Sequence, residues 1–104
     1  MENCLFCEII SGQKPCEKVY EDDFIFVIKD LNPKAKTHLL ILPKQHINNL
    51  NEVQEEDSAL LGYMMVSLKN FAKEQGITSY KTVINTGAKS HQEIPHLHVH
   101  LLST

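Results

Sequence analysis

Residues 96–102 read His-Leu-His-Val-His-Leu-Leu, and this alternation constrains the fold more than any other stretch. A period of two belongs to a β-strand, whose side chains point to opposite faces in turn. His96, His98 and His100 therefore share one face, and Leu97, Val99 and Leu101 share the other. The apolar face belongs against a core, so the imidazole face belongs on a cleft or in solvent. Neighbouring imidazoles on such a strand stand roughly 6.5–7 Å apart. They repel one another once charged, so stability alone does not select the row. Imidazole titrates near neutrality and can act as nucleophile, donor or acceptor, which suits catalysis. A metal site is the competing reading, because a His-x-His pair can bind zinc. Tetrahedral zinc needs three or four converging ligands, and alternating side chains on one straight strand do not converge.

The remaining segments supply the partners for that strand. Leu5 and Ile9, and Phe6 and Ile10, are four apart, which predicts a short helix over Cys4–Ile10 stopped by Ser11-Gly12. Strands are expected at Lys18–Tyr20, at Phe24–Ile28 as a central strand covered on both faces, and at Thr37–Leu42, ended by Pro43. Leu60, Met64, Leu68, Phe71 and Ala72, widened by Leu61 and Met65, mark one long helix. Glu55, Glu56 and Asp57 sit at its start, and Lys73 then Gly76 lie at its end, as the helix dipole and C-cap rules favour. Tyr80–Ile84 and Leu97–Leu102 complete five strands around the polar loop Asn85–Ser90. Most connections are too short for helical crossovers, so the expected class is α+β with a mainly antiparallel sheet.

Composition narrows the function. The 104 residues are 42% apolar and 22% charged with four Gly and four Pro, fitting one domain over 1–104 rather than a disordered or disulfide-scaffold chain. A net charge of −3 leaves no basic surplus to neutralise the phosphates of a nucleic-acid duplex. No apolar run approaches the ~18 residues of a membrane span. Met1-Glu2-Asn3-Cys4 lacks the basic and apolar regions of a signal peptide. Three cysteines, an odd number, fit reduced thiols, and the expected location is the cytoplasm.

The seven-residue histidine motif matches the His-φ-His-φ-His-φ-φ pattern of the histidine triad family, φ being apolar. The resemblance runs from Cys4–Ile10 through Lys29-Asp30-Leu31-Asn32-Pro33, Thr37-His38 and Ile41–His46 to the triad, and so covers essentially the whole chain. It is strongest to the nucleoside phosphoramidase branch. That resemblance implies a homodimer whose sheets join, acting on purine nucleotide (AMP or GMP) adducts such as phosphoramidates or acyl-nucleotides. It assigns His98 as the nucleophile that forms a nucleotidyl-histidine intermediate. His100 would hydrogen-bond the phosphate or departing group, with His96 and His38 as the supporting network. Catalysis so described requires no cofactor.

The same resemblance places Leu5, Phe6, Ile9, Ile28 and Leu31 in the slot that grips the base. Asp30 would accept from the ribose hydroxyls, and Asn85 and Gly87 would lie beside the phosphate. Read from the residues alone, the apolar set is plain core, and Asp30, Asn85 and Gly87 are turn residues. Two departures concern the phosphate side. Glu93 stands where some relatives have a serine, placing a carboxylate there, and His91 replaces a small residue. His91 reads either as a solvated loop residue or as a partial cover for the cleft. The chain stops at Thr104, short of the tail found in longer relatives, so selectivity should differ from theirs.

Cys4-x2-Cys7 has the spacing of half a zinc site, but no second cysteine pair follows and Cys16 stands alone. By resemblance, His46 and His96 would complete a structural zinc site; otherwise Cys4 and Cys7 are free thiols. The alternative to an enzyme is a nucleotide-binding or protein-interaction module of the same fold with marginal turnover. A complete triad with His38 favours the enzyme, because binding alone needs no nucleophile.

Overall fold

The computed structural model describes residues 4–104; the reading of Met1-Glu2-Asn3 lies outside the described residues. In chain order the elements are α1 (Leu5–Ile10), β1 (Lys18–Glu21), β2 (Ile25–Lys29), β3 (Thr37–Pro43), α2 (Ser58–Glu74), β4 (Lys81–Val83) and β5 (Val99–Ser103). The strands form a five-stranded sheet in the order β1-β2-β3-β5-β4, antiparallel at every pairing. β3 and β4 point the same way with β5 between them, so their connection must cross the sheet, and α2 makes that crossing.

Register decides which residues meet, because directly paired residues share a face. Ile28 pairs with Leu40, Leu40 with His100, and His100 with Val83; beside that row His38 pairs with Leu102 and Leu102 with Lys81. On the opposite face Val27, Ile41 and Val99 form a row. α2 covers this second face, burying Met64, Leu68 and Ala72 at intervals of four against Ile25, Val27, Leu39, Ile41, Val99 and Leu101. α1 covers part of the first face, packing Phe6 and Ile9 on Phe26, Ile28, Leu40 and Leu42. Both faces of β2 and β3 are thus buried, which explains their unbroken apolar runs. Six residues of helix cannot cover the whole first face. The uncovered part, over β3, β5 and β4, is a cleft floored by His38, His100 and Leu102.

Element ends follow local chemistry. Cys4 caps α1, its Sγ accepting the Cys7 N–H at 3.3 Å. α2 stops at Gly76, whose φ of +71° lets the Ile77 N–H reach the Ala72 carbonyl at 2.8 Å and turns Ile77 back onto the core. Glu55–Asp57 form a separate 3-10 turn rather than the first turn of α2.

Several element boundaries differ from the sequence reading. Phe24 lies outside β2 and is 61% exposed, because its N–H turns to the Asp22 carboxylate. Pro43 is the last paired residue of β3, opposite Ile25, where its missing N–H is harmless at the strand end. β4 holds only three residues. β5 begins at Val99, not Leu97, because the Leu97 N–H bonds the Ile47 carbonyl at 2.7 Å instead of joining the sheet. His96 and His98 therefore stand just ahead of the strand.

Among the described residues, His91 is the non-glycine residue with positive φ, at +67°. It closes the 3-10 turn Ala88–Ser90, donating its N–H to Ala88. A side chain in the left-handed region is strained where glycine is not. His91→Gly should raise stability by about 0.5–1 kcal/mol, read as a higher urea midpoint at unchanged slope. A lower midpoint would mean that contacts of the ring outweigh the backbone strain.

Candidate active site

The cleft encloses about 490 Å³. Its apolar end is built by Leu5, Phe6 and Ile9 of α1 with Ile28 and Ile94, and its polar end by His98, His100, His38, Lys81 and Asn85. Hydrogen-bond partners fix which nitrogen of each imidazole holds the proton. His98 Nδ1 lies 2.7 Å from the backbone carbonyl of His96. A carbonyl can only accept, so Nδ1 carries the hydrogen and Nε2 keeps a free lone pair.

The second imidazole is set by a relay. The Lys34 backbone N–H donates to His38 Nδ1 at 3.1 Å, so His38 carries its hydrogen on Nε2. That Nε2–H donates to His100 Nδ1 at 2.8 Å, and Asp30 Oδ2 sits 3.3 Å from the same nitrogen. With Nδ1 occupied as an acceptor, neutral His100 carries its hydrogen on Nε2. The cleft therefore holds one imidazole acceptor, His98, and beside it one imidazole donor, His100. Their ring centres are 5.0 Å apart with the ring planes at 64°, closer than the repeat of a regular strand, which His98 stands just ahead of. Burial is the leading cause that holds all the triad imidazoles and His38 below the ordinary histidine range, with His100 at about 4. The cleft imidazoles are neutral at pH 7.

His96 departs from the expected row. It is fully buried and does not line the cleft. Its Nε2–H donates to the Pro43 carbonyl at 2.9 Å, which aims the Nδ1 lone pair at Cys4 Sγ (3.4 Å) and Cys7 Sγ (3.5 Å). His46 does the same from the other side, its Nε2–H donating to Asn48 Oδ1 at 2.7 Å and its Nδ1 facing Cys7 Sγ at 3.2 Å. The four ligand atoms of Cys4, Cys7, His46 and His96 lie within 4.8 Å of one another. Two thiols and two correctly oriented imidazole lone pairs, each steadied by an acceptor behind it, fit a tetrahedral zinc ion. Burial, with Cys4 alongside, pushes the Cys7 thiol up to about 11, so a metal must displace its proton.

Most of the residues singled out from the sequence line the cleft: Leu5, Phe6, Ile9, Ile28, Asp30, Leu31, Asn85 and Glu93, with His38, His98 and His100. Leu31 is 74% exposed, a position at the mouth rather than in a closed slot. Gly87 is not among the lining residues; its N–H is taken by Gln92 Oε1 at 2.9 Å. Asn85 uses an amide hydrogen to hold the Ser90 carbonyl at 2.9 Å. His91 and Glu93 are exposed residues of the lining.

Sequence reasoning misses several contributors, Ile94 at the apolar end among them. Lys34 and Lys81 line the cleft, and the pairing of Lys81 with Leu102 opposite His38 was a signal available from strand register. Gln92 ties the loop down through Gly87, the Asn48 carbonyl (2.6 Å) and the Ile94 carbonyl (3.1 Å); an isolated glutamine gives no signal of that.

The family model described as "Scavenger mRNA decapping enzyme C-term binding" matches residues 3–104. Protein HitA of Neisseria gonorrhoeae is 44% identical over 105 residues, covering 100% of this chain and 98% of that protein. The crystal structure of a HIT family hydrolase from Legionella pneumophila superposes with a TM-score of 0.95 at 42% identity, over 97% of this chain and 92% of that one. A histidine triad protein from Clostridium difficile gives 0.94 at 36% identity, over 100% and 92%. The chain belongs to the histidine triad family and has the fold of its hydrolases.

The depressed basicity of His38 and His100 makes stability depend on pH. Below about pH 6.5 the unfolded chain protonates these two imidazoles, while the folded chain resists, His100 down to about 4. The unfolded state then binds more protons, so stability falls as pH drops through this window. Urea midpoints between pH 7 and 4.5 should decline, and His38→Gln/His100→Gln should flatten the decline. An unchanged slope in the double variant would contradict the burial of neutral imidazoles.

Proposed function

We propose that the protein is a nucleotide hydrolase that cleaves purine nucleoside 5'-phosphoramidates or acyl-nucleotide adducts through His98. The observation that supports this reading is the fixed tautomer of His98, whose Nδ1–H is held by a carbonyl and whose Nε2 lone pair is free beside a donor imidazole. A neutral imidazole with a locked Nδ1–H is a nucleophile that needs no deprotonation.

In the proposed reaction the base enters the apolar end against Phe6, Ile9 and Ile28, with Leu5 and Leu31 at the rim, and Asp30 takes the ribose hydroxyls. His98 Nε2 attacks phosphorus, forming an N–P bond while the bond from phosphorus to the leaving nitrogen or acyl oxygen breaks. A departing amine leaves with a proton taken from the medium. The positive charge on the nucleotidyl-imidazole is eased by its Nδ1–H···O=C bond to His96. His100 Nε2–H donates to a phosphoryl oxygen, where negative charge gathers in both steps. Water then attacks phosphorus, the N–P bond breaks, and nucleoside monophosphate leaves with return of the proton to the medium.

A zinc ion held by Cys4, Cys7, His46 and His96 would be structural, tying α1 to the segment after β3 and to the triad. A closed four-ligand set leaves no position for water, and the reaction above does not pass through it.

His98→Ala should abolish hydrolysis of an adenosine phosphoramidate while AMP affinity, measured by calorimetry on the same preparation, stays within about threefold. The wild-type enzyme, quenched in acid-free buffer, should carry one nucleotidyl group on the peptide containing His98. Wild-type-like turnover in the variant would refute the covalent route. Full AMP binding with turnover absent in both proteins would leave the binding-module reading.

We also propose a homodimer. β4, three residues long, is a sheet edge, and Val66 stands 53% exposed on the outer side of α2. Edge strands and exposed apolar residues of this kind are protected by pairing. Light scattering at micromolar concentration should give twice the chain mass; the mass of one chain would contradict the proposal.

A further inference from the structure

We propose that the cysteine–histidine cluster and the nucleotide cleft are energetically coupled, so that zinc and nucleotide each tighten binding of the other. The proposal rests on the function proposed above. Two physical connections join the sites, and they meet the nucleotide at its opposite ends.

The first connection is α1. This helix and its cap residue Cys4 bring Cys4 and Cys7 to the cluster, and the helix carries Leu5, Phe6 and Ile9 towards the apolar end of the cleft. Six residues make a helix too short to be stable alone. Its first turn is closed by Cys4 Sγ accepting the Cys7 N–H, the same sulfur that would hold the metal. Whatever fixes the two sulfurs therefore fixes the base-contacting side chains.

The second connection is His96. Its ring faces the thiols, while its backbone carbonyl accepts the Nδ1–H of His98 at 2.7 Å. Phe6 lies between the two histidines, in edge contact with His96 at 6.0 Å and with His98 at 5.0 Å between ring centres. A metal bond to His96 Nδ1 would hold the ring and, through it, the backbone that sets the nucleophile. Three of the four cluster residues thus belong to segments that also contact a bound nucleotide.

Ligands that order the same segments favour each other, and the coupling must be reciprocal in equilibrium affinity. The sign is positive because both ligands need α1 and residue 96 in one arrangement. His46 stands apart: its Nε2–H goes to Asn48, and it is not among the residues that line the cleft.

Zinc titrated calorimetrically into the reduced, metal-free chain, with and without saturating AMP, tests this directly. AMP should tighten zinc binding roughly fivefold or more, the usual lower range of such coupling. The reciprocal titration should show zinc tightening AMP binding by the same factor. In His46→Ala the response of AMP affinity to zinc should be lost. AMP binding with zinc affinity unchanged would overturn the coupling and leave the proposed function standing. Failure of AMP to bind at all would overturn both, and failure of zinc to bind would overturn the coupling together with the metal assignment.

Discussion

The hydrogen bond from His98 Nδ1 to the carbonyl of His96 depends on an irregularity of the backbone. A carbonyl inside a sheet ladder is already taken by a neighbouring strand. Here Pro95 precedes His96, and the Leu97 N–H bonds Ile47 instead of β3 or β4, so the chain joins the sheet only at Val99. That delayed entry leaves the His96 carbonyl facing the imidazole of His98, two residues on. The same backbone turns the His96 ring away from the cleft and into the thiols. One departure from strand geometry thus supplies both the tautomer of His98 and one corner of the cysteine–histidine cluster.

The neutral state of the imidazoles is a second consequence of packing. Sheet, α1 and the loop pinned by Gln92 remove water from His98, His100 and His38, and burial disfavours their charged forms. Asp30 pulls the other way on His38, His98 and His100 but does not win. Neutral rings can then be arranged as acceptor beside donor, which charged rings cannot. Among the described residues no helix is long and apolar enough to cross a membrane. The cleft lies over one face of the sheet, and the cluster joins α1 to the segments that follow β3 and precede β5.

Much of this was legible in the sequence. The period of two over His96–Leu102 placed His98 and His100 on the cleft and Val99 and Leu101 in the core, and the four-residue spacing of Met64, Leu68 and Ala72 placed α2. Periodicity has no means of showing where a ladder begins, because Leu97 fits the alternation and yet bonds outside the sheet. For the same reason the alternation puts His96 in the row. Cys4 and Cys7 announced half of a cluster by spacing. Its other half comes from His46 and His96, 39 and 89 residues from Cys7, which only the folded chain brings together. Gln92, Lys34 and Lys81 act through loop closure and strand register, and neither leaves a local pattern.

The central claim is the proton arrangement of the cleft, and nitrogen-15 NMR of the histidine rings at pH 7 tests it most directly. Long-range proton–nitrogen correlations distinguish the two neutral tautomers of each imidazole. The structure predicts His98 protonated on Nδ1, and His38 and His100 protonated on Nε2, all three neutral. His98 found with its proton on Nε2, or found charged, would contradict the account, because no lone pair would then face the cleft.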